Sequence, residues 1–354
     1  MNSHLLPIFY FWIATFIVWL IMFPIFINHI TEMKLWKQIR EDATIWKATE
    51  FAKLHKKKTW TPSMWWTVII VVLVLMVIVS ILLQKLWFTN NSLFNQQETY
   101  LPLFTIISVW ILWLIDDYLN AKWIWKTKGI SARVKMLWLT FFATIWAFWF
   151  YYKLGWNITD GVWDFVRWIK NPFWESVKIW YYFIPLFILV IISAANSVNI
   201  TDWLDWLAWW LLLFSYSIYT YITYDQWLFL LSTFCISIVW TLIAFLWFNV
   251  KPAKIYMWDV WSLSLWATLW ILAMITNTLF VLVIIWSIFI LETLSVIIQL
   301  TSKKLRGWKK IFRIAPYHHH LEAIWWSEEN VVFRLRLIWI ITSVVWIITY
   351  ILQK

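Results

Sequence analysis

Three consecutive histidines and a glutamate, His318-His319-His320-Leu321-Glu322, follow a proline in a stretch crowded with lysine and arginine. Imidazole titrates near neutrality, so such a run can exchange a proton with a substrate oxygen at working pH or ligate a metal. The other chemistry-bearing groups are carboxylates: Asp116 and Asp117 are adjacent, and Asp259 follows Met257-Trp258 far downstream. Carboxylate oxygens are what Mg²⁺ takes alongside phosphate oxygens and water. Carboxylates, cations and imidazoles together describe phosphoryl transfer. A metal and lysines neutralise a diphosphate and its leaving group, while an acid–base residue handles the proton on the attacking group. Neighbouring helix residues point about 100° apart, so Asp116 and Asp117 cannot both face one metal squarely, and one is expected to take a different part. A solvated histidine loop and a solvated helix end are the bland readings of these same groups, and composition alone leaves them open.

The elements that must position these groups are membrane helices. Apolar residues make up 63% of the chain and charged ones only 13%, with a mean hydropathy of +0.71. Long uncharged runs recur from end to end. The expected fold is all-α: a polytopic integral membrane protein forming a single membrane-embedded domain over residues 1–354, with no soluble domain left over. The run from about Leu5 to Ile30 is too long, and too poor in flanking positive charge, for a cleaved signal peptide. One cysteine, Cys235, excludes an internal disulfide. At about 20 residues per crossing, the runs give about ten spans, near 5–28, 64–84, 101–116, 134–152, 178–195, 203–223, 227–248, 261–277, 279–300 and 333–352. Helix is the structure they must adopt, because lipid leaves every backbone group to be satisfied within its own segment.

Lysine and arginine concentrate in the first, third and ninth loops: Lys34 to Lys58, Lys122 to Lys135 and Lys303 to Arg313. The odd loops are therefore expected in the cytoplasm and both termini outside. The net charge of +11 reads as a topology signal and an attraction to anionic lipid and substrate phosphate, rather than as nucleic-acid binding. The polar clusters fall on that same face. They are Lys58-Thr59-Trp60-Thr61-Pro62-Ser63, Asp116-Asp117-Tyr118, the run from Asn196 through Asn199 and Asp202 to Asp205, Asn249 with Met257-Trp258-Asp259, and the histidines. Each sits at an expected membrane boundary, where ionisable residues tend to be functional.

Asp-Asp-Tyr after the third span, Asn-x-Val-Asn-x-Thr-Asp-x-Leu-Asp from Asn196, Phe248-Asn249-Val250 ahead of Met257-x-Asp259, and Pro-x-His-His-His-x-Glu from Pro316 closely resemble the phospho-N-acetylmuramoyl-pentapeptide transferase family. The resemblance covers nearly the whole chain. It implies transfer of phospho-MurNAc-pentapeptide from UDP-MurNAc-pentapeptide to undecaprenyl phosphate, with release of UMP and formation of lipid I. It also implies Mg²⁺ as cofactor, a bacterial inner-membrane location, contact with membrane lipid, and a homodimer. Carried over by residue, Asp259 resembles the metal ligand and Asp116 the carboxylate that deprotonates the lipid phosphate, with Asp117 supporting it. Lys58, Asn199, Asp202 and Asn249 match nucleotide- and phosphate-binding positions, Gln299 a polar residue near the uridine, and His318 the histidine needed for activity. Ser63, Asn196, His319 and His320 complete the expected substrate-binding set. Where the family usually has lysine, three residues after the second aspartate, this chain has Asn120, with Lys122 nearby. Two other readings stay open: a sister transferase that moves GlcNAc-1-phosphate to the same lipid, and a transporter or flippase.

The composition carries one anomaly. There are 37 tryptophans and four glycines, where ordinary usage of about 7% would give roughly 25 glycines. Tryptophan stands where the resembled motifs have glycine, at Trp60, Trp65, Trp66, Trp203, Trp206, Trp258 and Trp325. Glycine serves such places because it accepts positive φ and close backbone approach, and indole does neither. The expectation is a source that reads UGA as glycine, with the codon rendered as tryptophan in this sequence.

Overall fold

The computed structural model describes residues 13, 15–25, 28, 32, 36–37, 61–62, 67–85, 97–121, 132–153, 183–201, 204, 207–248, 258–276 and 278–353. The described residues are helical apart from connecting turns, the irregular stretch 309–316 and one antiparallel pairing of two-residue strands, β1 (Trp36–Lys37) with β2 (Thr61–Pro62), in register Trp36 to Pro62. Contacts divide the chain into two compact units, Met1–Ala132 with Asp205–Leu265, and Arg133–Leu204 with Trp266–Lys354.

The first unit holds α1 (Thr15–Ile25), α2 (Thr67–Lys85), α3 (Gln97–Ala121), α6 (Leu207–Asp225) and α7 (Phe229–Phe248), with the start of α8 (Trp258–Ile275). Its centre is the α6–α7 hairpin, apolar almost all round, as helices without a water-facing side are. Hydroxyls inside these helices are satisfied by the preceding turn, as in Ser215 Oγ to Leu211 O at 2.7 Å and Ser237 Oγ to Thr233 O at 2.8 Å. Helix α1 packs against α7: the buried Trp19 indole donates to Thr241 Oγ1 at 2.8 Å, and Phe23 meets Phe245 edge to face. Tyr216 OH donates to Leu265 O at 2.6 Å and ties α6 to α8.

The second unit holds α4 (Ala132–Lys153), α5 (Phe183–Thr201), the rest of α8, α9 (Leu279–Ile285), α10 (Ser287–Leu305), α11 (Tyr317–Ala323) and α12 (Glu328–Gln353). Helix α10 packs on α5, and α12 on α9, where the buried Trp339 indole donates to Ile285 O at 2.9 Å. The ninth expected span is thus two helices meeting at Trp286.

Several boundaries differ from the sequence reading. Helix α3 runs past Asp116-Asp117 to Ala121, because no glycine or proline stops it there. Asn196 and Asn199, expected in a loop, belong to the last two turns of α5. There the polar groups turn back on the helix: Asn196 Nδ2 donates to Ile192 O at 2.7 Å and Thr201 Oγ1 to Ser197 O at 2.8 Å. Asp259, also expected in a loop, is the second residue of α8, where the helix dipole favours a carboxylate.

Three helix ends share one stereochemistry. A backbone N–H reaches back five residues, from Leu228 to Thr223 O, Trp308 to Lys303 O and Trp326 to Leu321 O, and the residue before each donor is left-handed. Those residues are Trp227 at φ 66°, Gly307 at φ 57° and Trp325 at φ 79°; Trp308 at φ 68° follows Gly307 in the same region. Tryptophan thus occupies, at two helix ends, the position that glycine holds at the third. For a residue with a Cβ this region costs about 1–2 kcal/mol.

Among the described residues one helix, Phe229–Trp247, is long and apolar enough to cross a membrane by length and composition. Shorter apolar helices are Thr15–Ile25, Thr99–Ile111, Met136–Phe148, Phe187–Val198 and Ser264–Ile275.

Candidate active site

The described part of the site lies in the second unit, where α10 carries the segment that leads into the histidines. Gln299, expected near the uridine, is buried in α10 and clamps that segment. Its Oε1 accepts the backbone N–H groups of Ile311 and Phe312 at 3.0 Å each, and its Nε2 donates to Phe312 O at 2.8 Å. One turn on, Ser302 Oγ donates to Lys309 O at 2.9 Å. An otherwise irregular stretch, residues 309–316, is thereby pinned to a helix through its own backbone groups.

The histidines, expected in a loop, form the short helix α11, which starts after Pro316. Proline suits a helix start because it has no N–H to leave unsatisfied there. The three imidazoles have three different surroundings. His318 is fully buried; its Nδ1 lies 3.0 Å from Glu292 Oε2 and its backbone N–H donates to the same oxygen at 3.2 Å. His319 is buried with Nδ1 2.6 Å from Glu322 Oε2. His320 Nδ1 accepts the backbone N–H of Arg313 at 3.2 Å, which leaves Nε2 to carry the proton of its neutral ring. Arg313 Nη1 also donates to Ala323 O at 2.8 Å, capping the C-terminus of α11. Glu322, expected to steady His318 or the loop, holds His319; the partner of His318 is Glu292, which comes from α10.

The end of α10 and the segment that leads into α11 carry an exposed cationic rim of Lys304, Arg306, Lys309, Lys310 and Arg313, and Arg313 touches α11 itself. Lys303, half-buried beside it, has its ammonium pushed below the ordinary lysine range, first by burial and then by Lys310. A rim of this sign attracts a diphosphate and lowers the cost of bringing its charge close.

Asp116 and Asp117 lie in α3, Asn199 in α5 and Asp259 in α8, with side chains outside the described ones; Lys58, Ser63, Asp202 and Asn249 lie outside the described residues. Asn196 is exposed. Gln299 and the three histidines are therefore the expected site residues that the structure brings together. Among the described residues no three His, Cys, Asp or Glu side chains are grouped to hold a metal.

Glu292 escaped the sequence reading although it carried a signal. It is a single carboxylate between Ile290-Leu291 and Thr293-Leu294, in a run long enough to span a bilayer, where an ionisable group is a functional candidate by default.

The family described as Glycosyl transferase family 4 matches residues 99–277. A phospho-N-acetylmuramoyl-pentapeptide-transferase from Geobacillus sp. (strain WCH70) is 31% identical over 321 residues, covering 90% of each chain. The protein of that name from Chloroflexus aggregans is 32% identical over 344 residues, 94% of this chain and 86% of its own, and that from Pelobacter propionicus is 35% identical over 271 residues, 72% and 73%. The chain belongs to Glycosyl transferase family 4, in its branch of phospho-N-acetylmuramoyl-pentapeptide-transferases. It is an enzyme, a sugar-phosphate transferase of peptidoglycan synthesis.

Proposed function

We propose that this chain transfers phospho-MurNAc-pentapeptide from UDP-MurNAc-pentapeptide to undecaprenyl phosphate, giving lipid I and UMP. The observation that carries the reading is the buried triple-histidine helix. Glu292 and the Gln299-pinned segment hold it beside an exposed basic rim, on the motif that sets this branch apart from its sister transferases. The rim draws in the nucleotide diphosphate, and the imidazoles supply donors for oxygens whose charge grows as the UMP bond breaks. Asp116 takes the proton of the lipid phosphate, with Asp117 beside it in sequence. Lys58, Ser63, Asn196, Asn199, Asp202 and Asn249 supply further contacts to the nucleotide and its phosphates. Asp259 is the candidate Mg²⁺ ligand, and the ion, when bound, would neutralise diphosphate charge.

The same reading makes the protein a multi-pass enzyme of the bacterial cytoplasmic membrane with its site facing the cytoplasm. Support comes from α12, where Leu337, Ile341, Val344, Ile348 and Ile351 repeat at helical spacing and are each about half exposed. A continuous outward apolar stripe of this kind fits lipid, since soluble surfaces rarely carry one.

UMP release by purified protein tests the reading. It should require UDP-MurNAc-pentapeptide and undecaprenyl phosphate together; release that ignores the lipid phosphate would count against it.

A further inference from the structure

Glu292 is fully buried, six residues into a helix whose other charged residues lie at its far end. A carboxylate in such a place is costly unless its oxygens are used. Oε2 is used twice, and both times by His318: by the backbone N–H and by the ring Nδ1. The backbone bond has a local reason. Helix α11 follows Pro316, which offers no side-chain cap, so the N–H of His318 would lack a partner in the first turn. Glu292 supplies the missing cap from α10.

The ring bond fixes the chemistry of His318. Where the carboxylate oxygen is the acceptor, Nδ1 carries the proton, and the ring can neither rotate freely nor exchange tautomers without losing that bond. The other nitrogen, Nε2, is buried and has no partner among the described residues, and neither has Glu292 Oε1. His319 and His320 differ: Glu322 engages the first from within α11, and a backbone N–H engages the second. Among the described residues, His318 is held by a carboxylate that comes from another helix.

We propose that Glu292 is the positioning residue of His318. It holds Nδ1–H so that Nε2 is the nitrogen presented to the substrate phosphates, and its charge sustains the ring when Nε2 is protonated. This rests on the transfer reaction proposed above.

Two measurements on the full-length enzyme test it. The first is the ¹⁵N spectrum of histidine-labelled protein in detergent, with His318 assigned by loss of its signals in His318→Ala. The parent should show a protonated Nδ1 at His318, Glu292→Gln should lose that pattern, and Glu322→Gln should leave it intact. A neutral His318 protonated at Nε2 in the parent would overturn the proposal. The second is steady-state kinetics of Glu292→Gln, which keeps the size and an oxygen for the backbone cap. A positioning role lowers kcat about 10- to 100-fold with KM for the nucleotide near the parent value, the scale of carboxylates that orient a functional histidine. Unchanged kcat in a folded variant, or a loss confined to KM, would refute it. If the parent shows no transferase activity, the proposed reaction fails, and the ¹⁵N pattern alone decides the role of Glu292. That spectrum also decides if Glu292→Gln does not fold.

Discussion

Replacing Gln299 by alanine isolates the bonds that hold the histidine-bearing segment to α10. The side chain makes three hydrogen bonds to the backbone of Ile311 and Phe312, at 3.0, 3.0 and 2.8 Å. A typical bond contributes about 0.5–1.5 kcal/mol net. Ile311 is half exposed, so water would recover part of the loss and the lower part of that range applies, about 2 kcal/mol for the three. At about 1.4 kcal/mol per factor of ten, the open population of the segment should rise about 30-fold. Hydrogen–deuterium exchange read by mass spectrometry on peptides covering residues 309–316 measures this opening directly. The amides of Ile311 and Phe312 should exchange about 30-fold faster, while peptides from the α6–α7 hairpin stay unchanged. Gln299→Glu should not restore protection, because a carboxylate oxygen would face Phe312 O where an N–H now donates. Unchanged exchange in Gln299→Ala would show that the segment is held by something else, and the reasoning would fail.

Asp259→Asn keeps size but removes charge from the candidate metal ligand, so turnover should fall at least about 100-fold at saturating Mg²⁺; near-parent rates would remove Asp259 from the metal. Asp116→Asn should lower kcat across the working pH range with nucleotide binding retained, and weakened nucleotide affinity instead would make Asp116 a binding residue. Glycine at Trp227, Trp308 or Trp325 should raise stability by about 1 kcal/mol each, read in chemical denaturation, because the left-handed backbone there then costs nothing. The gene should carry TGA at Trp227 and Trp325 but TGG at Trp19 and Trp339, whose indoles have hydrogen-bond partners; TGG at the first two would end the recoding account.

The helices were legible because long apolar runs without glycine favour helix, and eight of the expected runs coincide with helices whose bounds shift by at most six residues. What pattern could not show was where polar groups end a helix. The apolar run ahead of Asp116 stops before the helix does, and the stretch from Asn196 to Thr201 looked like loop because it is polar, whereas the Asn196 amide and the Thr201 hydroxyl bond back along the helix. The histidines were found from residue type alone. Glu322 was expected to fix the His318 ring or the loop and holds His319, while Glu292, the partner of His318, comes near only after α10 and α11 pack. Gln299 was singled out through the family resemblance, while its clamp on Ile311 and Phe312 depends on a contact twelve residues away that no local pattern encodes.

The most direct measurement supplies the purified enzyme, in Mg²⁺, with undecaprenyl phosphate and either UDP-MurNAc-pentapeptide or UDP-GlcNAc, each labelled in the sugar. The account predicts lipid-soluble label and matching UMP from the first nucleotide and neither from the second. Label transferred from UDP-GlcNAc alone, or from neither, would contradict it.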